Sequence, residues 1–371
     1  MRRLTLLLLA PLLLPACGPK GEGTFAPGEI WPDNNGVHIN AHGGGILIAD
    51  DTYYWFGEHK TEGTAGNSAQ VGVHCYSSKD LYQWKDEGIA LAVVTDDTTH
   101  SITKGCILER PKVIYNRKNN QYVMWFHLEP KGAGYSGAMS GIAVADRPAG
   151  PYVFLKAIRP NAGAWPLNVQ DIHRTTTPVD GSQTFSGGNL PTHPDSLNLL
   201  GRDMPGGQMA RDMNLFVDDD GTAYHIYASE ENSTLHISQL DEDYTGCSGR
   251  YARFFVNRFM EAPVMFKHEG NYYLIMSGCT GWAPNAGRSA VASSIWGPWE
   301  ELENPFRGEE AELSFRSQST YVLPLPGAPG RFMYMGDRWT PNDAIDGRYI
   351  WLPLRMEGKQ PVIEWNNRTN G

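Results

Sequence analysis

Cysteine and helical periodicity are the features that this sequence most lacks. Only five of its 371 residues are cysteine, and their spacing is not that of a metal site. No long stretch has helical periodicity, whereas 41 glycines and 25 prolines are typical of a turn-rich all-β protein. Lysine and arginine number 31 against 41 acidic residues and form no basic stripe. We therefore expect no nucleic-acid partner.

Long apolar runs are also missing, apart from one at the N-terminus. Residues 1–17 read MRRLTLLLLAPLLLPAC, two arginines and a leucine-rich core ending at a small residue before Cys17. This run is too short and wrongly flanked to span a membrane, so it indicates an export signal. Its end is similar to a lipoprotein cleavage box, which predicts a lipid anchor at Cys17 and a tether at residues 18–28. The unusual Pro15 leaves plain secretion as the alternative, and the lack of an aspartate after Cys17 favours the outer membrane.

The chain does contain a repeated β-hairpin. Each copy has a polar or glycine leader, an apolar strand, a turn and an aromatic strand, as in EAPVMFKHEGNYYLIMS. The five copies lie at residues 43–58, 109–127, 212–229, 261–277 and 318–337. Second hairpin-like segments follow at residues 71–84, 141–152, 234–244 and 289–299. One small hairpin cannot bury its own apolar face, so we predict an all-β, five-bladed β-propeller over residues 29–371.

The leaders of the five copies are the first candidates for a site. They are Gly43, Glu109, Asp212, Glu261 and Gln318. Because the innermost strands of a propeller line its axis, equivalent leaders should converge at one end of it. Two carboxyl groups flanking a sugar are the minimal machinery for hydrolysing a glycosidic bond. A carboxyl group held among apolar neighbours should have a raised pKa, which suits Glu261 as a general acid.

Each carboxylate also has a structural alternative. Glu109 could form an ion pair with Arg110, Asp212 could pair with Arg211, and Glu261 could simply bond a backbone amide at its strand end. The aspartates at 218–220 precede a glycine and lack the remaining ligands of a calcium loop, so they predict a hairpin turn.

Two further features concern the interior of the chain. A Pro- and Gly-rich insertion at about residues 159–207 is predicted as a long loop, either a functional wall or surface decoration. In an exported protein disulfides are permitted, and Cys75 with Cys106 and Cys247 with Cys279 are the plausible pairs. Spacing alone does not decide the pairing, and buried free thiols are the alternative.

The sequence resembles glycoside hydrolase family 43, whose members are inverting enzymes on five-bladed propellers, and within it the exo-β-1,3-galactanase branch. The resemblance spans essentially the whole mature chain. It rests on residues 40–47 (NAHGGGIL), 54–58 (YWFGE), 109–113 (ERPKV), 280–285 (TGWAPN) and 336–339 (GDRW).

The resemblance implies roles for particular residues. Glu261 matches the acid, Gln318 the residue that holds the attacking water, and Glu109 an essential residue and candidate base. The residues that it implies for substrate binding are Glu58, Tyr135, Asp212, Asn232, Thr280, Trp282 and Arg338. It implies an arabinogalactan-type oligosaccharide or polysaccharide as the substrate. We further expect no cofactor, no metal and a monomeric enzyme.

The sequence departs from the wider family at the first leader. Most members have an aspartate base there, and this chain has Gly43 beside His42. That absence motivates a non-catalytic, sugar-binding propeller as one alternative. The long insertion motivates another, an α-L-arabinofuranosidase or β-xylosidase of the same fold.

Overall fold

The computed structural model describes residues 26–68, 71–185 and 188–367. The predicted export signal, the lipidation site at Cys17 and most of the tether lie outside these residues. Over the described part of the chain no helix has the length and apolarity needed to cross a membrane. The predicted all-β propeller is confirmed, because the strands form five separate sheets that follow one another along the chain.

Four antiparallel strands form each of the first four blades. Blade 1 contains β1 (His42–Ala49), β2 (Thr52–His59), β3 (Gly72–Ser78) and β4 (Lys85–Ala92). Blade 2 contains β5 (Ile107–Asn116), β6 (Gln121–Glu129), β7 (Met139–Ala145) and β8 (Val153–Ile158). Blade 3 contains β9 (Met213–Val217), β10 (Ala223–Ser229), β11 (Thr234–Leu240) and β12 (Cys247–Phe254). Blade 4 contains β13 (Met260–His268), β14 (Asn271–Gly278), β15 (Arg288–Ala292) and β16 (Glu300–Leu302).

Blade 5 has an additional short strand at its outer edge. It contains β17 (Phe306–Arg307), β18 (Gln318–Pro324), β19 (Phe332–Arg338), β20 (Arg348–Glu357) and β21 (Gln360–Glu364). Strand β17 pairs in parallel with β21, while all the other pairs are antiparallel. Short 3₁₀ helices occupy Ala311–Arg316 and Ala344–Asp346. The first strands β1, β5, β9, β13 and β18 lie side by side around the axis.

The outermost strands of the blades were not detected by the sequence pattern. The second hairpin-like segments cover the third strand of each blade and its turn, but the fourth strand begins after them, as β8 does after Tyr152. Strand β8 has no buried residue. Its sequence therefore shows no alternation between a buried and an exposed face, and periodicity could not detect it.

The N-terminal segment closes the ring between blades 1 and 5. Trp31 is buried and packs edge-on against Trp55 of blade 1 and Trp351 of blade 5. The hydroxyl of Tyr349 accepts a hydrogen bond from the backbone of Ala41 and donates one to that of Ile39. These contacts place β1 next to β18, so the leader residues of both blades reach the same end of the axis.

The insertion is not the structureless loop predicted from its composition. It contains three short helices, α1 (Asp171–Thr175), α2 (Pro194–Leu197) and α3 (Leu199–Asp203). Leu199 and Leu200 are fully buried, and Arg253 of β12 in blade 3 donates a hydrogen bond of 2.7 Å to Asp195 of the segment. Helices of four or five residues are too short to produce a readable period.

The predicted disulfide pairs are not formed. Cys75, Cys247 and Cys279 are free thiols, which excludes both the Cys75–Cys106 and the Cys247–Cys279 bridge. Cys75 lies in the apolar core between blades 1 and 2, and burial raises the pKa of its thiol well above the usual value. The Cys279 thiol instead faces a carboxyl group at the mouth of the axis.

Candidate active site

A cavity of about 290 Å³ lies at the end of the axis where the leaders converge. Eight of the ten predicted site residues line it: Glu58, Glu109, Tyr135, Asp212, Asn232, Glu261, Trp282 and Gln318. Lys60, Arg110, Arg211, Cys279, Gly281 and Trp339 complete the lining. The walls therefore come from all five blades.

A β-bulge shapes the start of the first strands. The pairing register shifts just after Glu109 in β5 and just after Glu261 in β13. The residue that follows each of them is left-handed, with φ of 54° at Arg110 and 52° at Ala262. Bulges of this kind bend the strand and redirect side chains. They turn these two glutamates towards the cavity.

The same register corrects the predicted leader of blade 1. His42 pairs opposite Glu58 just before the bulge, as Glu109 pairs opposite His127, so His42 rather than Gly43 is the equivalent residue. His42 is fully buried and stacks on Tyr349, and burial lowers the pKa of its imidazole well below the usual value. Blade 1 therefore contributes a neutral ring instead of a carboxylate at this position.

Glu261 is the carboxyl group best suited to give up a proton. Its Oε1 accepts hydrogen bonds from the Asn232 amide (2.7 Å) and the Cys279 thiol (3.0 Å). Burial, and then the neighbouring charge of Asp212, raise the pKa of Glu261 to about 7. A carboxyl group with this pKa is about half protonated at pH 7, whereas an ordinary glutamate would be almost fully ionised, so Glu261 is suited to act as a general acid.

Asp212 is paired with Arg110 and not with its neighbour Arg211. The Arg110 Nε lies 2.9 Å from Asp212 Oδ1, and the Ala262 backbone N–H donates to Asp212 Oδ2 at 3.1 Å. Arg211 instead pairs with Glu231 at 3.0 Å. Asp212 thus stands as an anion beside Glu261, and its charge favours the protonated form of the acid.

Gln318 is oriented by the donors around its carboxamide. Its Oε1 accepts hydrogen bonds from Arg110 Nη2 (2.6 Å) and Trp339 Nε1 (3.0 Å), and its Nε2 donates to the Ser277 hydroxyl (3.0 Å). Arginine and indole nitrogens can only donate, so the oxygen must face them. One N–H of Gln318 is left to donate to another acceptor.

Glu109 lies in a dense set of hydrogen-bond donors. Its Oε1 accepts from the Tyr135 hydroxyl (2.7 Å) and the Asn67 amide (2.8 Å), and its Oε2 lies 3.0 Å from His127 Nδ1. The other nitrogen of His127 bonds the fully buried Glu129 at 2.9 Å. Burial opposes ionisation of Glu109, but the hydrogen bond and charge of His127 outweigh it and hold the pKa of Glu109 well below its usual range.

A second ion pair forms the wall at blade 1. Glu58 is buried, its Oε2 lies 2.6 Å from Lys60 Nζ, and its Oε1 accepts the Arg110 backbone N–H at 2.9 Å. Desolvation by burial raises the pKa of Glu58, and the charge of Lys60 opposes that effect. Glu58 offers the cavity a fixed acceptor and Lys60 a fixed donor.

Two tryptophans provide an aromatic wall. Trp282 is 46% exposed and meets Trp339 in an edge-on contact, with ring centroids 5.8 Å apart. Exposed aromatic rings at the rim of a polar cavity suit the apolar face of a sugar.

Two predicted binding residues lie elsewhere. The Thr280 hydroxyl donates to the Ala283 carbonyl at 2.6 Å, at the rim outside the cavity lining. Arg338 lines a neighbouring cavity of about 410 Å³, donates to the Phe315 carbonyl and lies over Trp365. This second cavity shares Gly281, Trp282, Gln318 and Trp339 with the first.

Within the described residues, one cluster has the composition of a metal site. Ligand atoms of Glu109, His127 and Asp212 lie within 4.8 Å of one another. However, both ring nitrogens of His127 bond carboxylates, and this raises its pKa to about 9 in spite of burial. A protonated imidazole is not a ligand, so the cluster is better described as a hydrogen-bonded network.

The sequence reasoning missed several residues of the cavity. Arg110 was considered only as a partner of Glu109, whereas it connects Asp212 with Gln318. Cys279 and Lys60 were not considered as site residues, although both contact predicted ones. Cys279 directly precedes the motif at residues 280–282, and Lys60 lies two residues after Glu58. Proximity in sequence does not show which neighbours of a motif contact the site.

The chain is similar to a known family and to several proteins of known structure. The model for "Glycosyl hydrolases family 43" matches residues 195–320. The chain is similar to a family 43 β-1,3-galactosidase crystallised with galactodeoxynojirimycin, with 49% identity over 94% of this chain and 100% of that one, and a TM-score of 0.86. It is also similar to the exo-β-1,3-galactanases of Phanerochaete chrysosporium, crystallised with β-1,3-galactotriose (34% identity, TM-score 0.73), and Clostridium thermocellum (32%, 0.75). These alignments cover 93% and 94% of this chain and 67% of each enzyme. A search of curated proteins gave no match.

A five-bladed propeller that presents a carboxyl group of raised pKa beside an ionised one at the mouth of its axis has the acid and base groups of a glycoside hydrolase. The chain belongs to glycoside hydrolase family 43. The resemblance found in the sequence is therefore confirmed, and the protein is an inverting glycoside hydrolase.

Proposed function

We propose that this enzyme is an exo-β-1,3-galactanase that releases single galactose units from arabinogalactan-type chains. The observation that carries the proposal is the contrast between the carboxyl groups at the cavity: Glu261, whose raised pKa lets it hold a proton near neutral pH, faces Asp212 and the ionised Glu109 in a space of about 290 Å³. That volume lies at the small end of ligand pockets, which favours binding a terminal sugar over a long chain. The relatives supply the choice of galactose.

Glu261 is the proposed acid. Both of its neutral donors bond Oε1, so the proton is left on Oε2, which can pass it to the glycosidic oxygen as the bond to the anomeric carbon breaks. Asp212 keeps the proton on Glu261 until that transfer, because a nearby negative charge disfavours the carboxylate.

The attacking water is assigned to Gln318 and Glu109 together. The Gln318 oxygen is occupied by two donors, so a tautomer that carries a proton on this oxygen is disfavoured. Its remaining N–H can hold the water oxygen in place. Glu109 is ionised and has an unoccupied lone pair on Oε2, so it is the group that can accept the proton, although the lowered pKa makes it a weak base until the charge of His127 changes.

Product analysis tests the substrate. The purified enzyme is incubated with β-1,3-galactan, branched arabinogalactan and an aryl α-L-arabinofuranoside, and the products are followed with time by chromatography and by NMR. We expect galactose one unit at a time from the first two substrates, appearing first as the α-anomer because inversion changes the configuration. Arabinose alone, or binding without release, would refute the proposal.

Substitution of the acid tests the mechanism. We expect Glu261→Gln to lower kcat by about 10²–10⁴, the usual contribution of general acid–base catalysis, with little change in galactose binding. Glu269→Gln is the matched control, because Glu269 lies in the turn of the same hairpin and its side chain is exposed. A Glu261→Gln enzyme as active as the control would refute the assignment.

We also propose that the enzyme is an exported lipoprotein, a monomer held at the outer membrane by a lipid on Cys17. The export signal and the lipid anchor are supported by the N-terminal sequence alone. Labelling of cells with a fatty-acid analogue should mark the wild type and leave Cys17→Ser unmarked. Equal labelling of both proteins would refute the lipid anchor. Sedimentation of the purified protein as an oligomer would refute the monomer.

A further inference from the structure

The turn between β10 and β11 adopts a rare backbone conformation. Glu230, Glu231 and Asn232 are consecutive and all left-handed, with φ of 49°, 59° and 66°. Asparagine tolerates this region, but glutamate enters it only at a cost. Strained residues of this kind persist where their surroundings fix them, and they cluster at functional sites.

The insertion fixes Glu231 directly. Glu231 is fully buried, and its two carboxylate oxygens bond Arg202 Nη1 (2.9 Å) and Arg211 Nη2 (3.0 Å). Arg202 belongs to α3 of the insertion and is itself held by a two-point ion pair with Asp203, at 2.8 and 2.9 Å. A buried carboxylate of this kind cannot move without separating charges in a low-dielectric environment.

Glu230 is held through one intermediate residue. It is also fully buried, and its oxygens accept hydrogen bonds from Arg253 at 2.9 and 2.6 Å. Arg253 in turn bonds Asp195 at 2.7 Å and lies 2.8 Å from His173 Nε2, both in the insertion. Glu230 Oε1 also lies 2.8 Å from His236 Nε2 of β11, so the insertion holds Glu231 directly and shares the fixing of Glu230 with blade 3.

The third residue of the turn contacts the acid. Asn232 donates a hydrogen bond of 2.7 Å to Glu261 Oε1. The turn is thus a rigid connection between the insertion on one side and the reacting carboxyl group on the other.

We propose that the insertion is a positioning device for the general acid, and that Arg202 is its principal positioning residue. By fixing the left-handed turn, Arg202 orients Asn232, which fixes the Glu261 carboxyl group with Oε2 directed to the leaving oxygen. This inference rests on the proposed role of Glu261 and assigns the insertion a part in catalysis.

The test compares two leaving groups. Arg202→Met removes the charge and keeps much of the side-chain volume. Its kcat is measured on β-1,3-galactobiose, whose leaving sugar needs a proton, and on 2,4-dinitrophenyl β-galactoside, whose leaving group does not. We expect a loss of about tenfold or more on the disaccharide, part of the 10²–10⁴ that an acid supplies, and little loss on the aryl substrate. Arg174→Met is the matched control, since Arg174 is exposed on α1 and its side chain lies over the Trp165 ring, away from the turn.

Two further variants decide the route of the effect. Asn232→Ala should show the same substrate dependence, and the double variant Arg202→Met/Asn232→Ala should be no worse than the poorer single variant. Arg202→Lys, which keeps a donor for Glu231, should recover part of the activity and covers the case in which Arg202→Met does not fold.

The outcomes separate this inference from the proposed function. Suppose that Glu261→Gln loses more activity on the disaccharide than on the aryl substrate, as expected of the acid. Equal losses of Arg202→Met on both substrates, or additive effects in the double variant, would then overturn the positioning role of Arg202. If Glu261→Gln itself lost equally on both substrates, the acid assignment would fail first.

Discussion

His127 is the residue whose protonation the structure links most directly to stability. It is fully buried between Glu109 and Glu129, with one ring nitrogen on each carboxylate. We choose His127→Gln as the perturbation, because glutamine is polar and of similar length but cannot carry a charge. The variant leaves two buried carboxylates without their shared cation.

The size of the effect follows from the pKa of His127. Burial alone would lower it, but the hydrogen bonds and charges of Glu109 and Glu129 raise it from 6.5 to about 9. This difference of about 2.5 pKa units corresponds to about 3 kcal/mol, since one unit is worth about 1.4 kcal/mol. Because the folded state has the higher pKa, the stabilisation is fully present below pH 6.5 and is lost as pH rises through about 9.

Urea unfolding at the two ends of this pH range measures the effect. The quantity to measure is the free energy of unfolding of the wild type minus that of His127→Gln. This difference should be about 3 kcal/mol larger below pH 6.5 than above pH 9. Groups such as Lys112, whose pKa burial lowers to about 7, titrate in both proteins and cancel in the difference.

His225→Gln is the matched control. His225 is buried, and within the described part of the chain neither of its ring nitrogens has a hydrogen-bond partner. Burial lowers its pKa to about 3, so its contribution to stability should not change over this pH range. If the difference in free energy of unfolding between the wild type and His127→Gln were as independent of pH as that for His225→Gln, the reasoning would be refuted. Such a result would mean that no imidazolium holds Glu109 in its ionised form.

Three other predictions concern the cavity. The kcat/KM, which reports ionisations of the free enzyme, should fall as pH rises through about 7, where Glu261 loses its proton. Cys279→Ala should move this alkaline limb to higher pH because the carboxylate loses a donor, and an unmoved limb would contradict this. Arg110→Met should lower the free energy of unfolding by about 3–5 kcal/mol in urea titrations, since it strands the Asp212 carboxylate, and a loss under about 1 kcal/mol would contradict the structural role. Trp282→Ala should raise KM for galactan while leaving the thermal midpoint near that of the wild type, because the ring is 46% exposed; an unchanged KM would exclude it as a platform.

The propeller and the location of its site could be predicted because both follow from local, repeated features. An apolar strand, a turn and an aromatic strand recur at residues 261–277 and in four other copies, and a repeat places equivalent residues at equivalent points. That logic brought Glu109, Asp212, Glu261 and Gln318 to one end of the axis, where the structure has them.

The ion pairs could not be predicted, because sequence neighbours are poor guides at a bulged strand. Glu109–Arg110 and Asp212–Arg211 were the obvious pairs. The left-handed backbone of Arg110 turns its side chain away from Glu109, towards Asp212 and Gln318, the latter 208 residues away in sequence. Arg211 is likewise drawn to Glu231 by a turn whose conformation no propensity indicates.

The division of labour among the carboxyl groups depends on which donors contact them. Glu109 contacts the imidazolium of His127, whose charge favours the ionised form of Glu109, and Asp212 forms an ion pair with the guanidinium of Arg110. The donors to Glu261 are an amide and a thiol, both neutral, and burial then decides in favour of the proton. A cationic donor in place of Asn232 or Cys279 would ionise Glu261 and remove the acid without touching the carboxyl group. The neutrality of these two neighbours is therefore as necessary to the proposed chemistry as Glu261 itself.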